Sequence, residues 1–448
     1  MTFVVLGLLS ILSTSNGMEL EDFLNKVTKD SNELRAIEVR MQAASSEIRA
    51  RDLTLVSELS LEGRQVWDDR VSTEGLATFT KGLPTGTQLS ISGAYDLTEG
   101  SSPASEFHRL NWAAEIKQSL WRDMFGMGTR LRQKYDRYEL LSRHAQFEFT
   151  KAEKLLSFEN LFWDFVLVEQ EIRALATNLE KSRKSASWIK KRMERSAAER
   201  TDMLQAQSQV SRRELELQEA LDFKENLVLR LKQINSSGDW ISTWIPSEVQ
   251  ASQMRSMNDL VSGSKAKNSR AIRSDVLAGI YLARSLEQRA QVVSNEHRPD
   301  LNVFAGAGTN AVKFDRRYAE VGLQLSLDLN FSLKSHAVRS ARQFSEAQQI
   351  QSVYQLRESS LEWEDLQRNL DRLNKRLEIA SQLASLQKQK SAEERRRYEQ
   401  GRSTAFQSIS FEQEAIEAQL HARRLQVQLR KEEARARLFA WSDEESLH

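Results

Sequence analysis

The feature that most restricts the fold is a repeat. "KRMERSAAERTDMLQAQSQVSRRE", Lys191 to Glu214, and "RRYEQGRSTAFQSISFEQEAIEAQ", Arg396 to Gln419, share one layout, with Ser196 in the first answering Gly401 in the second, 205 positions on. The strand-like segments ahead of them recur at nearly the same offset, Trp112 answering Tyr318 after 206 positions. Each half reads as a short helix, strands, a long helix and a shorter returning helix, so the chain is an internal duplication.

The strand-like segments show the period of two that puts alternate side chains on opposite faces. "YAEVGLQLSLDLN", Tyr318 to Asn330, is the cleanest: Val321, Leu323, Leu325 and Leu327 share one face, and Glu320, Gln324 and Asp328 the other. "LSLEGRQVW" (Leu59 to Trp67), "GTQLSISGAY" (Gly86 to Tyr95), "NWAAEIKQSLW" (Asn111 to Trp121) and "RPDLNVFAGAG" (Arg298 to Gly308) are of the same kind. A shorter run near Leu76 to Thr80 reads as a further strand or an extension. A soluble sheet with one face on a core alternates equally well. The carboxylates of Glu320 and Asp328 and the excessive length of the adjoining helices favour a wall between lipid and a wet lumen.

The sequence suggests roughly four strands per chain, too few to close a membrane barrel, which takes at least about eight. An open edge in hydrocarbon leaves backbone groups unpaired at several kcal/mol each. Pooling strands among identical chains removes the edges, and three chains of four would make twelve.

The rest of the chain reads as helix. The spacing predicts a first helix over 18–55, then long helices over 126–195 and 333–400, each about 100 Å at about 1.5 Å per residue. Returning helices follow over 197–234 and 402–440. Ser196 and Gly401 mark the turns, since serine and glycine can accept the backbone values that end a helix, and Thr201 and Ser408 are candidate caps for the helices that restart. "NSSGDWISTWIP", Asn235 to Pro246, is the plainest interruption and divides a first repeat, 18–240, from a second, 251–448, with a break over 235–250 between them.

At the N-terminus "MTFVVLGLLSILSTSNG" has the apolar run and small-residue ending of a secretory leader over 1–17. The sequence has no cysteine, so neither disulfides nor a lipid-modified cysteine are open to it, and no apolar run after Gly17 is long enough for an ordinary transmembrane helix. The formal net charge of +1 gives no reason to expect a nucleic-acid partner.

Taken together, "YEQGRSTAFQSISFEQEAIEAQ", "MERSAAERTDMLQAQSQVSRRELEL", "RPDLNVFAGAG" with "YAEVGLQLSLDLNF", and "TWIP" resemble, in order, the TolC family of trimeric outer-membrane efflux and secretion channels, over nearly all of the mature chain. The resemblance implies a mostly α chain with membrane β: a homotrimer with a twelve-stranded β-barrel continuous with a long periplasmic α-helical barrel of coiled coils. It implies docking to an inner-membrane pump or ABC exporter through a periplasmic adaptor. It also implies that the turns at Ser196, Gly401 and Arg402 form the periplasmic tips. Acidic residues that constrict the pore in this family align with Gln407 and Ser410 here, which leaves Asp202 as the candidate acid at the entrance.

Catalysis finds no support. "GAGTNA", Gly306 to Ala311, fits a loose dinucleotide pattern, but a strand rather than the required helix follows it. Six histidines are scattered without ligand spacing, and no cofactor is implied. The competing reading is an exported coiled-coil scaffold without a channel, which explains the helices and leaves the duplicated strands without a use.

Overall fold

The computed structural model describes residues 20–51, 57–67, 71–99, 107–195, 199–234, 272–310, 316–327 and 331–439. The expected leader, the break over 235–250, Ser196, Asp328 and the last nine residues lie outside these. Seven helices are described: α1 (Leu20–Asp30), α2 (Asn32–Ala50), α3 (Met127–Glu194), α4 (Arg200–Ile234), α5 (Ser274–Glu296), α6 (Phe331–Glu399) and α7 (Ala405–Ala436). The strands are β1 (Ser57–Trp67), β2 (Val71–Gly82), β3 (Thr87–Glu99), β4 (Phe107–Ser119), β5 (Asp300–Asn310) and β6 (Arg316–Ser326). The first helix expected from sequence is thus two, parted at Ser31, whose hydroxyl accepts the Leu34 N–H at 3.3 Å and caps α2.

The chain divides into two compact units. One comprises residues up to 39, 147–274 and 358–448. Its largest core cluster joins Phe23 and Val27 of α1 with Phe158, Phe162, Phe165 and Val168 of α3, and with Leu227 and Leu231 of α4. Phe162 is fully buried, its ring 5.4 Å from that of Phe23 and edge-on to Trp163 at 5.2 Å. On α6 the buried and half-buried positions run Leu366, Leu370, Leu373, Leu377, Ala380 and Ala384, alternating steps of four and three. That is the 3.5-residue period of a coiled-coil seam, and Leu425 and Leu429 of α7 pack on its start.

The other unit, residues 40–146 and 275–357, holds the sheet. Its six strands lie side by side in chain order, every neighbouring pair antiparallel. The sequence suggested roughly four. β2 showed only as the shorter run near Leu76 to Thr80 because its alternation is weak: Gly75 and Ala77 stand on the face that should be apolar and Leu76 on the other. β6 ends at Ser326, short of the expected Asn330, with Leu327 just beyond it.

The β2–β3 turn is built into the rest of this unit. Gly86, in the left-handed region at φ 72°, donates its N–H to the Leu83 carbonyl and accepts the Ser119 N–H through its own. Gly126, at φ 76°, comes so close to the turn that an added Cβ would stand 1.9 Å from the Pro84 carbonyl oxygen. Asp123 fixes the passage from β4 into α3, its carboxylate accepting the Thr129 N–H at 3.0 Å and hydroxyl at 2.8 Å. In the same unit Glu47 of α2, Arg51 just past its end, and Glu139 and Arg143 of α3 form a closed ring of alternating charge. Hydrogen bonds from Arg51 and Arg143 hold the Glu47 carboxyl below its ordinary pKa.

Gly126→Ala should cost about 2 kcal/mol or more, because left-handed backbone alone penalises a side chain by about 1–2 kcal/mol and the Cβ also strikes the Pro84 carbonyl. The thermal midpoint of the extracted protein, followed by loss of the β signal in circular dichroism, should fall. An unchanged midpoint would show that the turn does not bear on the junction.

Candidate functional site: the sheet faces and the helix turns

Residues directly opposite one another in an antiparallel sheet point to the same face, so the register sorts the sheet into rows. One row crosses all six strands as Leu59, Phe79, Ile91, Ala114, Ala307 and Ala319. The next, on the opposite face, runs Glu58, Thr80, Ser90, Glu115, Gly306 and Glu320. The apolar face is uncovered: Leu59 is 64% exposed, Leu61 73%, Val321 79% and Leu323 71%. Leu325 shares that face and Leu327, one residue past β6, is exposed as well. Of the residues expected on the polar face, Glu320 lies in the acidic row and Gln324 accepts a hydrogen bond from Lys117 Nζ at 3.0 Å. Asp328 lies outside the described residues.

A second constellation lies in the other unit, where the helix turns come together. Arg396 to Arg402 ends α6 with a Schellman arrangement: Gly401, at φ 74°, donates its N–H to the Tyr398 carbonyl at 3.0 Å, and Arg402 donates to the Arg397 carbonyl at 2.8 Å. Two residues later Thr404 caps α7, its side chain accepting the Gln407 N–H at 3.2 Å. "TAFQ" is a capping box, threonine with glutamine three residues on. The sequence reading passed over it in favour of Ser408, which instead lies within α7, its N–H bonded to the Thr404 carbonyl. At the first turn Thr201 likewise falls inside its helix, as does Asp202, whose carboxylate reaches back to accept the Glu199 N–H at 3.3 Å.

Four helices meet between these turns. Ile189 of α3, Ala206 of α4, Tyr398 of α6 and Ala405 and Ile409 of α7 form a buried cluster, flanked by Ala186 and Met203. Tyr398 meets Trp188 edge-on at 4.8 Å, and the Arg192 guanidinium stands over both rings, 4.9 Å from Trp188 and 5.6 Å from Tyr398. Burial pushes the Tyr398 phenol above its ordinary pKa; Asp202 adds to the rise and Arg192 opposes it. Asp202 therefore lies within electrostatic reach of the second turn. Gln407 and Arg402 are exposed and Ser410 is half-buried. Trp188, Arg192 and Tyr398 were not singled out from sequence. The signal was an aromatic and an arginine one turn apart at the end of α3, facing the tyrosine of "RYEQG".

Among the described residues no group of three or more histidine, aspartate or glutamate side chains could hold a metal ion, and no helix is long and apolar enough to cross a membrane.

No protein-family model matches the chain, and no curated protein matches it in sequence. Solved structures do match. VceC, an outer membrane protein of Vibrio cholerae, superposes with a TM-score of 0.71 at 14% identity, over 93% of this chain and 94% of that one. CusC, described for its folding and transmembrane channel formation, gives 0.72 at 10% identity, over 97% and 96%. The CmeC outer membrane channel of Campylobacter jejuni gives 0.70 at 12% identity, over 95% and 88%. The chain has the fold of these outer-membrane channels. It has that fold nearly end to end, helices and sheet alike.

Tyr398→Ala removes the ring shared by Trp188 and Arg192 and should cost about 3 kcal/mol locally. Amide exchange in 186–206 and 398–409 should accelerate strongly while exchange in β2–β5 stays as it was. Equal protection in both variants would mean that the aromatic contact does not hold the turns.

Proposed function

We propose that the chain is a TolC-like outer-membrane channel: three copies pool their sheets into a barrel, and their helices extend into the periplasm. The single observation that carries this reading is the uncovered apolar face of a six-stranded antiparallel sheet. Strands of 11–13 residues, tilted about 40°, rise about 28–33 Å, which fits a hydrocarbon core about 30 Å thick. The likeness of fold to VceC, CusC and CmeC supports it. Residues 1–17 would be the export leader.

In this reading Val321, Leu323, Leu325 and Leu327 meet lipid, and Glu320, Gln324 and Asp328 face the lumen. The turns at Ser196, Gly401 and Arg402 form the periplasmic tip, which a periplasmic adaptor and an inner-membrane pump or ABC exporter would engage. The duct is passive and gated, serving tripartite efflux or type I secretion. It does no chemistry of its own, so energy comes from its partners. The cluster of Trp188, Arg192 and Tyr398 ties the two helical hairpins of one chain at their turns and is the candidate latch. Asp202, Gln407 and Ser410 are candidate pore-lining positions; Asp202, repeated by symmetry, would attract cations.

The competing reading, a periplasmic coiled-coil scaffold, has no use for the apolar face. Membrane fractionation separates the two: the channel should sediment with the outer membrane and pass single-channel current in planar bilayers. A chain recovered in the soluble periplasm, passing no current, would decide for the scaffold.

Asp202→Asn keeps an oxygen for the Glu199 N–H and removes the charge. The reversal potential under a salt gradient should shift toward lower cation preference, with thermal stability lowered by no more than about 1 kcal/mol through the lost charge at the helix start. The same potential in both proteins would remove Asp202 from the pore.

A further inference from the structure

We propose that a cavity where the sheet passes into the helices holds the head group of a phospholipid that carries both a phosphate and a primary ammonium. The inference rests on the channel reading above and adds to it a lipid site separate from the sheet faces and the helix turns.

The cavity, about 580 Å³, lies within the unit that holds the sheet, lined by the start of α3, the end of α5 and the stretch of α6 from Arg342 to Gln349. Its size falls in the range of about 300–1,000 Å³ usual for small-ligand sites. Asn295 lies at its floor, only 5% exposed. The Asn295 amide nitrogen donates to the Arg122 carbonyl, and Gly128 leaves room for it, since an added Cβ there would stand 2.7 Å from that nitrogen. With the nitrogen so held, Oδ1 is the amide atom left for the cavity, buried and without a hydrogen-bond partner among the described residues. A buried acceptor of this kind is costly unless something donates to it.

The mouth supplies charge of both signs. Arg298 and Arg342 line it together with Glu287 and Glu346, all four exposed and none in an ion pair among the described residues. Unpaired guanidiniums suit a phosphate, which they bind with parallel hydrogen bonds. A primary ammonium brings three N–H donors, enough for Asn295 Oδ1 and a carboxylate together. Two cations set against two carboxylates favour a ligand that is neutral overall with its charges apart. An anionic head group would be opposed by both carboxylates, and a choline, which has no N–H, would leave Oδ1 unmet.

Placement favours a lipid over a soluble zwitterion. Arg298 stands two residues before β5, and Met127 and Leu131 lie in the first two turns of α3, the helix that follows β4. The cavity is therefore at the end of the sheet where β4 leaves and β5 starts. There the uncovered apolar face gives way to charged helices, which in the channel reading is the level of the lipid head groups. Met127 and Leu131 give the cavity an apolar side on which the glycerol and the first methylenes can rest.

The full chain in detergent is offered equal amounts of dioleoyl phosphatidylethanolamine, phosphatidylcholine and phosphatidylglycerol, and bound lipid is counted by native mass spectrometry. Phosphatidylethanolamine should be retained about tenfold over the other two. With Arg298→Gln and Arg342→Gln together its retention should drop about tenfold, since the phosphate loses both guanidiniums. With Glu287→Gln and Glu346→Gln together its lead over phosphatidylcholine should shrink severalfold. All four side chains are exposed, so the fold does not depend on them. Equal retention of the three lipids, or the same retention in every variant, would overturn the proposal. So would displacement of the lipid by glycerophosphoethanolamine at equal concentration, which would make the ligand a soluble zwitterion. A protein absent from the outer-membrane fraction would sink the channel reading and the lipid site with it. A membrane-embedded protein without the preference would sink only the lipid site.

Discussion

A sheet with two open edges and one uncovered apolar face poses two problems that only one kind of surroundings answers together. Water would satisfy the edge N–H and C=O groups of β1 and β6 but would meet a continuous row of Leu59, Phe79, Ile91 and its alanine neighbours. Hydrocarbon would suit that row and leave the edges at several kcal/mol for each unpaired group. Burying the apolar face against a second layer would answer both partly, yet these side chains stand exposed. Lipid on one face and further copies on both edges meets every demand. Closure by several copies follows from this constraint; the number three comes from the resemblance alone.

The helical unit is stabilised differently. Its large apolar residues gather around Phe162 and Leu231, while the α6 seam carries one buried side chain at steps of three and four. Toward the turn the same register brings Glu394 and Tyr398 to buried positions. Glu394 is answered by the Ser403 hydroxyl, and Tyr398 by Trp188 and Arg192. The seam therefore changes from aliphatic to polar and aromatic as it nears Gly401. Such contacts are directional and depend on geometry, unlike those of a continuous leucine seam.

Much of the architecture was legible because periodicity is local. The long helices and the β6 alternation are written in single residues, and the mostly helical class with an antiparallel sheet followed from them. β2 was legible only as a fragment, because a face formed by Gly75 and Ala77 carries little hydrophobic signal and Leu76 points the other way. The cluster of Trp188, Arg192 and Tyr398 was not legible at all. Its members lie on helices more than two hundred residues apart, and only packing brings them within 6 Å. The caps were readable yet misassigned: threonine-x-x-glutamine at 404–407 is a capping box, and Ser408, expected as the cap, lies inside α7.

That misassignment bears on the charge at the two turns. The last of the four residues of a capping box can be glutamate or glutamine, since either side chain can reach back to the helix start. Gln407 holds this position, its N–H bound to Thr404 and its amide oxygen accepting from Ser403 at 3.2 Å. Where the resemblance leads one to expect an acid, this chain has an amide that leaves the helix start intact and removes one charge per copy. Asp202 is committed to the corresponding task at the first turn, bonded to the Glu199 N–H. Its charge also favours the positive end of α4. A charge is therefore not needed by the helix start at the second turn, whereas at the first it helps to hold it.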